Sequence, residues 1–152
     1  MRTLPRIAVL SMLVLIFTSG CATTGAMQGV PIKDRQMKEI SAVSGPQNMY
    51  FIDVPSPDNI ISEKLMIASL EFGSSTAIDA LVEILSSEKP VTIGVVGDSD
   101  AVNAATVKAA LKELKNKKTA GTVYLVADTK AREELHDLAQ TVGIKLIVVP
   151  LK

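Results

Sequence analysis

Acidic side chains stand at the ends of three segments that the sequence predicts as β-strands. Asp53 closes the first segment, Asp98, Ser99 and Asp100 follow the second, and Asp128 follows the third. Because ligands of open parallel sheets bind beyond the carboxyl ends of the strands, these residues are the candidates for ligand binding. Carboxylate oxygens are the ligands that Mg2+ and Ca2+ prefer, so strand ends that converge here would make a divalent-metal site.

The same side chains also suit a purely structural role, because Ser, Asp and Thr are the preferred N-caps of helices. Ser99, Asp100, Asp128 and Thr129 all stand directly before predicted helices. We therefore expect helix capping and solvation for these residues, with a metal site of unknown identity as the alternative. The sequence predicts no cofactor.

Asp98-Ser99-Asp100-Ala101-Val102 follows an apolar strand and resembles the first motif of haloacid dehalogenase-like phosphatases. The resemblance implies that Asp98 is a nucleophile and Asp100 an acid/base. In this chain the motif follows the second predicted strand, and no later acidic pair supplies the metal ligands of that chemistry. We assign no catalytic residue from it.

Gly97-Asp98-Ser99 also resembles the start of the GDS-motif esterases, which implies Ser99 as nucleophile and His136, the only histidine, as base. Those enzymes place Asp and His in a late loop. Here Glu133 and His136 lie three residues apart in a predicted helix, where the two side chains share a helix face. This spacing favours a solvated helical pair over a catalytic triad.

The apolar pattern shows which elements must position these side chains. The predicted strands are residues 49–54, 91–96, 122–127 and 144–149, and the predicted helices are residues 58–72, 76–87, 101–115 and 129–142. Thr76 and Asp79 form a predicted capping box at the start of the second helix. Nearly continuous apolar strands are typical of parallel sheets covered on both faces. The sequence therefore predicts an α/β fold, a small three-layer α/β/α sandwich with a mainly parallel four-stranded sheet, and leaves the strand order open.

Residues 1–20 have the layout of a signal peptide. Arg2 and Arg6 precede an apolar run over residues 7–17, after which small residues lead to Cys21. The run is well short of the roughly 20 apolar residues that a membrane-spanning helix needs. The sequence therefore predicts export.

Thr18-Ser19-Gly20-Cys21 resembles the lipobox of bacterial lipoproteins. The resemblance implies cleavage before Cys21 and attachment to a membrane through lipid on Cys21. Cys21 is the only cysteine, and acylation accounts for a lone thiol at the end of a leader. Ala22, in place of the Asp that the resemblance associates with inner-membrane retention, favours the outer membrane, with the domain facing the periplasm. Ordinary secretion with a free Cys21 is the alternative, and the leaflet stays open.

These features divide the chain into a signal peptide (1–20), a lipidated N-terminus with a flexible tether (21–47) and a single α/β domain (48–152). The second segment is rich in turn-forming residues and poor in large apolar ones. Residues 32–43 could form a short helix, but its apolar stripe is too thin to fold alone.

Charge and composition make nucleic acid a poor candidate partner. The precursor has 16 Lys plus Arg and 16 Asp plus Glu, and loss of the two leader arginines gives a net charge of about −2. Only 3% of the residues are aromatic, and no basic stripe is interleaved with aromatic side chains.

Two functional hypotheses follow. The first is a membrane-anchored, non-enzymatic envelope lipoprotein whose α/β domain is an interaction or accessory domain for an envelope protein partner. The second is a small metal-dependent hydrolase or ligand-binding domain that uses the acids at the strand ends. An exposed apolar patch would favour the first, and a cleft at the strand ends would favour the second.

Overall fold

A computed structural model describes residues 30–87 and 89–150 of the chain. Within these ranges the elements are, in order, α1 (Ile32–Ser44), β1 (Tyr50–Val54), α2 (Ile60–Leu70), α3 (Thr76–Leu85), β2 (Val91–Gly97), α4 (Asp100–Glu113), β3 (Gly121–Ala127), α5 (Thr129–Thr141) and β4 (Lys145–Pro150). The four predicted strands and the four predicted helices after residue 48 are confirmed, with ends that shift by at most a few residues. The predicted signal peptide and the predicted lipidation site Cys21 lie outside the described residues.

The strands form one sheet in the sequential order β1-β2-β3-β4, and every neighbouring pair is parallel. The register places Asp53 opposite Val96 and Val54 opposite Gly97, so β1 and β2 end at the same level. Strands that follow one another in this way, joined by right-handed crossovers, put all their connecting helices on one face of the sheet. The α/β class predicted from the sequence is confirmed, and the structure supplies the strand order.

Alternation along the strands divides the core into two clusters on opposite faces of the sheet. Ile93 and Val95 belong to the larger cluster, which they share with residues of α2, α3, α4 and α5. Val96 and Tyr124 belong to a smaller cluster with Ile40 of α1. Contacts of α1 with β2, β3 and β4 place this helix across the second face. The predicted three-layer sandwich is therefore observed, and α1 forms one of its outer layers.

Helix α1 lies within residues 21–47, for which the sequence predicts a flexible tether, and it corrects that prediction for residues 32–44. Residues Ile32–Ser44 are helical, and the side chains of Gln36 and Ile40 are fully buried against the sheet. The apolar stripe is thin, as the sequence suggests, but most helical stability in proteins comes from tertiary packing of one face and not from the isolated helix. Gly45 ends the helix in a left-handed conformation with φ of 71°. The folded domain thus begins well before residue 48.

The predicted helix caps are confirmed for α4 and α5, which follow strand ends, and the predicted cap of α3 is corrected. Ser99 caps α4 and Asp128 caps α5, each through its side-chain oxygen. Helix α3 is capped by Ser75, whose hydroxyl accepts from the Ile78 amide, and not by Thr76. Asp79 accepts instead from Ser74. The predicted capping box is therefore wrong, and the cap is one residue earlier. Ser75 and Thr76 are both good caps, and the local sequence does not choose between them.

Candidate functional site

The ammonium group of Lys33 lies between two of the predicted strand-end acids. Its Nζ is 2.9 Å from a carboxylate oxygen of Asp53 and 3.2 Å from one of Asp98. Hydrogen bonds to Asp53 and then to Asp98 raise the pKa of Lys33 above its ordinary value. Both carboxylates are more than half exposed. Asp53 and Asp98 converge because β1 and β2 are neighbours that end at the same level, and a lysine of α1 supplies the positive charge between them.

The buried amide of Gln36 connects α1 to the end of β2 and to the start of α4. Its Oε1 accepts from the Gly97 amide at 2.8 Å, and its Nε2 donates to Asp100 at 2.6 Å. Partial burial is the main effect on Asp100 and raises the pKa of its carboxyl, although the bond from Gln36 opposes the shift. Asp100 is therefore held in place by an internal donor.

Gly97 is required at this junction by the close approach of its neighbours. A Cβ at this position would collide with the backbone oxygen of Val54 and with the buried side chain of Asn103. In the orientation of the Asn103 side-chain amide that gives both of its polar atoms a partner, the nitrogen donates to the Ser99 carbonyl and the oxygen accepts from the Gly97 amide. The carboxyl ends of β1 and β2 and the start of α4 are thus packed tightly against one another.

Ser99 and Asp128 are both engaged as caps. The Ser99 hydroxyl accepts from the Val102 amide at 3.2 Å and donates to Glu63 of α2 at 2.9 Å. Asp128 accepts from the Ala131 amide at 2.8 Å. Of the five predicted site residues, two pair with Lys33, one with Gln36, and two cap helices.

His136 does not join Ser99. The imidazole hydrogen-bonds to Gln140 at 2.8 Å on the exposed surface of α5, and it borders a small hollow beside Leu146 and Val148 of β4. Within residues 30–87 and 89–150, no group of three or more His, Cys, Asp or Glu side chains is placed to hold a metal ion. The contacts of Ser99, His136 and the strand-end acids do not reproduce either resembled catalytic arrangement.

A groove of about 500 Å3 runs along α4 between α2 and α5. Most of its lining is apolar and is supplied by Ile67, Leu70, Ala101, Ala104, Ala105, Ala109, Ala131 and Leu135. Asp100 and Asp128 reach it from the strand ends. Lys108 and Glu134 bridge α4 and α5 at 2.8 Å, and this contact lowers the pKa of Glu134. The groove brings Asp100 and Asp128 to one surface.

The topology explains why this groove lies on the helical face and not above the sheet edge. Open α/β sheets bind ligands where the strand order reverses and adjacent connections part to opposite faces. In the described sheet the order runs β1-β2-β3-β4 without a reversal. The connecting helices pack side by side, and Lys33 and Gln36 of α1 contact the strand ends from the other face.

Helix α2 is apolar on both faces, although only one face is covered. Met66, Ile67 and Leu70 contact the core. On the outer face Ile61 is 72% and Leu65 is 67% exposed. Helices that are hydrophobic all round are normally buried. The outer face of α2 is an exception, because its apolar side chains are exposed to solvent.

We name the outer face of α2 the α2 stripe and define it as Ile61, Leu65, Ala68 and Phe72. Phe72 lies in the turn that ends α2, two residues after the last helical residue Leu70, and is 92% exposed. Ile60, at the start of the same helix, is 71% exposed. Exposed residues at i, i+4, i+7 and i+11 fall on one side of a helix. Sequence reasoning treated this segment as an ordinary covering helix and missed the stripe, although its near-continuous apolar residues were a signal.

Comparison with protein-family models, with curated proteins and with solved structures found no match to this chain. Among the residues that the structure describes, no helix is both long and apolar enough to cross a membrane.

Proposed function

We propose that this protein is a lipid-anchored protein of the bacterial cell envelope whose α/β domain acts by binding an envelope protein and not by catalysis. The observation that carries the proposal is the α2 stripe, whose large members Ile61, Leu65 and Phe72 are each at least 67% exposed. Contiguous apolar surface of this kind marks interaction sites on soluble domains. Lipid on Cys21 would hold the domain at a membrane, in keeping with the lipobox resemblance.

The internal contacts of the strand-end acids support the same proposal. Asp53 and Asp98 share Lys33, Asp100 accepts from Gln36, and Asp128 caps α5. A shared lysine, an amide donor and a helix cap are contacts expected of acids that stabilise the fold.

The anchor is tested by the intact mass of protein purified from membranes of a bacterial expression host. We expect a mass that fits cleavage before Cys21 plus several acyl chains, and we expect Cys21→Ala to lose that modification. An unmodified chain recovered from the soluble periplasm would refute the anchor.

The interaction surface is tested in the same host with a photo-reactive residue in place of Ser69, which borders the α2 stripe. We expect a defined cross-linked product that Phe72→Ser weakens several-fold. Because Phe72 is almost fully exposed, this change should leave the folded domain intact. Lys115→Glu, on the exposed end of the lysine-rich turn after α4, is the matched control and should leave the cross-link unchanged.

The groove along α4 favours a second candidate function, a ligand-binding or metal-dependent hydrolytic domain. Its volume of about 500 Å3 and the presence of Asp100 and Asp128 in its lining are the supporting observations. This function predicts that millimolar Mg2+ or Ca2+ raises the melting temperature and that Asp128→Asn abolishes the rise. An unchanged melting temperature in the wild type would speak against the metal-dependent form.

A further inference from the structure

The α2 stripe has the spacing of a helix-pairing seam. Its members follow one another at intervals of four, three and four residues, which is the alternation of a and d positions in a heptad repeat. Ile61 and Ala68 then occupy d positions and Leu65 occupies an a position. Phe72, in the turn just after α2, continues the spacing to the next a position. All four are exposed in the structure. Such a seam is buried in other proteins by a second helix.

The charges beside the seam indicate what that second helix is. Lys64 and Glu71 occupy the two g positions, while Ser62 and Ser69 occupy the e positions. Lys64 and Glu71 are both exposed, and neither takes part in a salt bridge found in the described part of the chain. In an antiparallel helix pair g positions face g positions, so a second copy of α2 would place each lysine beside a glutamate.

We propose that the α2 stripe pairs with the α2 stripe of a second copy of this chain, antiparallel and about a twofold axis. Ile61 then lies opposite the second copy's Phe72, and Leu65 lies opposite the second copy's Ala68, with both layers repeated by symmetry. Each large side chain of the central layers faces a small one, as close packing of two helices requires. The inference rests on the proposed interaction function and names its partner.

Charge complementarity favours an antiparallel second copy over a parallel second copy and over a membrane surface. In a parallel pair Lys64 would face the second copy's Ser69, and neither charge would be compensated. A membrane surface rich in anionic lipid would attract Lys64 but repel Glu71. In the antiparallel pair each Lys64 lies beside the other copy's Glu71, so all four charges are compensated. Both members of each ion pair come from this chain's own sequence.

The size of the seam predicts a weak dimer that lipid anchoring strengthens. Four side chains per copy bury far less surface than the roughly 1,200 to 2,000 Å2 of a standard stable interface. Confinement of both copies to one membrane raises their effective concentration without any new contact. The dimer should therefore form mainly on membranes.

The test measures energy transfer between copies of the mature, lipidated chain reconstituted in phosphatidylethanolamine–phosphatidylglycerol vesicles. Lys118→Cys places a label on the exposed loop between α4 and β3, and lipidated Cys21 leaves this as the only free thiol. We expect transfer above the level of random proximity at the same surface density. Lys64→Glu alone and Glu71→Lys alone should each lower the association constant on the order of tenfold, since two attractive pairs become repulsive.

The double variant Lys64→Glu with Glu71→Lys is the decisive measurement, because it restores complementarity with the charges exchanged. We expect it to recover most of the wild-type transfer. Lys115→Glu, which reverses an exposed charge in the turn after α4 and outside the seam, should have no effect. Transfer that is insensitive to the single changes, or that the double variant fails to recover, would overturn the antiparallel pair.

Two further outcomes separate this inference from the proposed function. Random-level transfer in the wild type, with a Phe72-dependent cross-link to a different envelope protein, would overturn the second copy as partner and leave the interaction function standing. Random-level transfer with no Phe72-dependent cross-link of any kind would overturn both.

Discussion

The substitution Ile40→Ala tests whether α1 belongs to the folded domain. Ile40 is fully buried between α1 and the second face of the sheet, where it contacts the cluster that contains Val96, Tyr124 and Val126. The change removes three carbons, worth about 0.8 kcal/mol each in transfer free energy, and leaves a cavity that adds to the loss. We expect the free energy of unfolding to fall by about 3 kcal/mol.

The assay is urea unfolding of the mature chain carrying Cys21→Ser, which removes the lipid and keeps the domain. With a slope of about 1.5 kcal/mol per molar urea, a loss of this size lowers the midpoint by roughly 2 M. Val43→Ala in the same helix is the matched control, because Val43 is 56% exposed and its truncation should cost less than about 0.5 kcal/mol. Equal midpoints for Ile40→Ala and Val43→Ala would refute the packing of α1 and restore the flexible-tether interpretation.

Three further predictions concern the strand ends. Gly97→Ala should lower the free energy of unfolding by more than about 2 kcal/mol in the same assay, because its Cβ would collide with the Val54 carbonyl; a wild-type midpoint would contradict the tight junction. The pKa of Asp100 is raised in the folded state, so folding favours the protonated carboxyl. The free energy of unfolding therefore falls through this group as the pH rises above the ordinary carboxyl pKa of 3.8. Asp100→Asn should flatten that decline in urea midpoints measured between about pH 3.5 and 7, and parallel profiles would show that the burial of Asp100 is energetically unimportant. Lys33→Ala should lower the free energy of unfolding by only about 0 to 1 kcal/mol, since both carboxylate partners are exposed. The same change should let millimolar Ca2+ bind between Asp53 and Asp98 and raise the melting temperature. A Ca2+ response no larger than that of the wild type would mean that the Lys33 ammonium does not occupy the place of a metal ion.

The contrast between α1 and β2 shows how far local pattern carries the prediction of this fold. Residues 91–97 form a strand that apolar and β-branched side chains predict on their own. Residues 32–44 have too few apolar side chains to predict a stable helix, and their helix depends on a sheet face assembled from β2, β3 and β4. The unpredicted packing of α1 also explains why the sequence predicts the acids of the site but not all of their partners. Asp53, Asp98, Asp100 and Asp128 were found because they follow strands, but two of their partners lie on α1.

The class of fold, the elements after residue 48 and the acids at the strand ends can be predicted from the sequence, because they follow from periodicity and from neighbours along the chain. The tertiary packing sets the strand order, the place of α1 as a third layer, and the bonds of Lys33 and Gln36 to groups 20 to 65 residues away. It also decided which apolar face of α2 the core covers and which it leaves to solvent. Contacts between distant residues depend on how the layers pack, and local periodicity does not encode that packing.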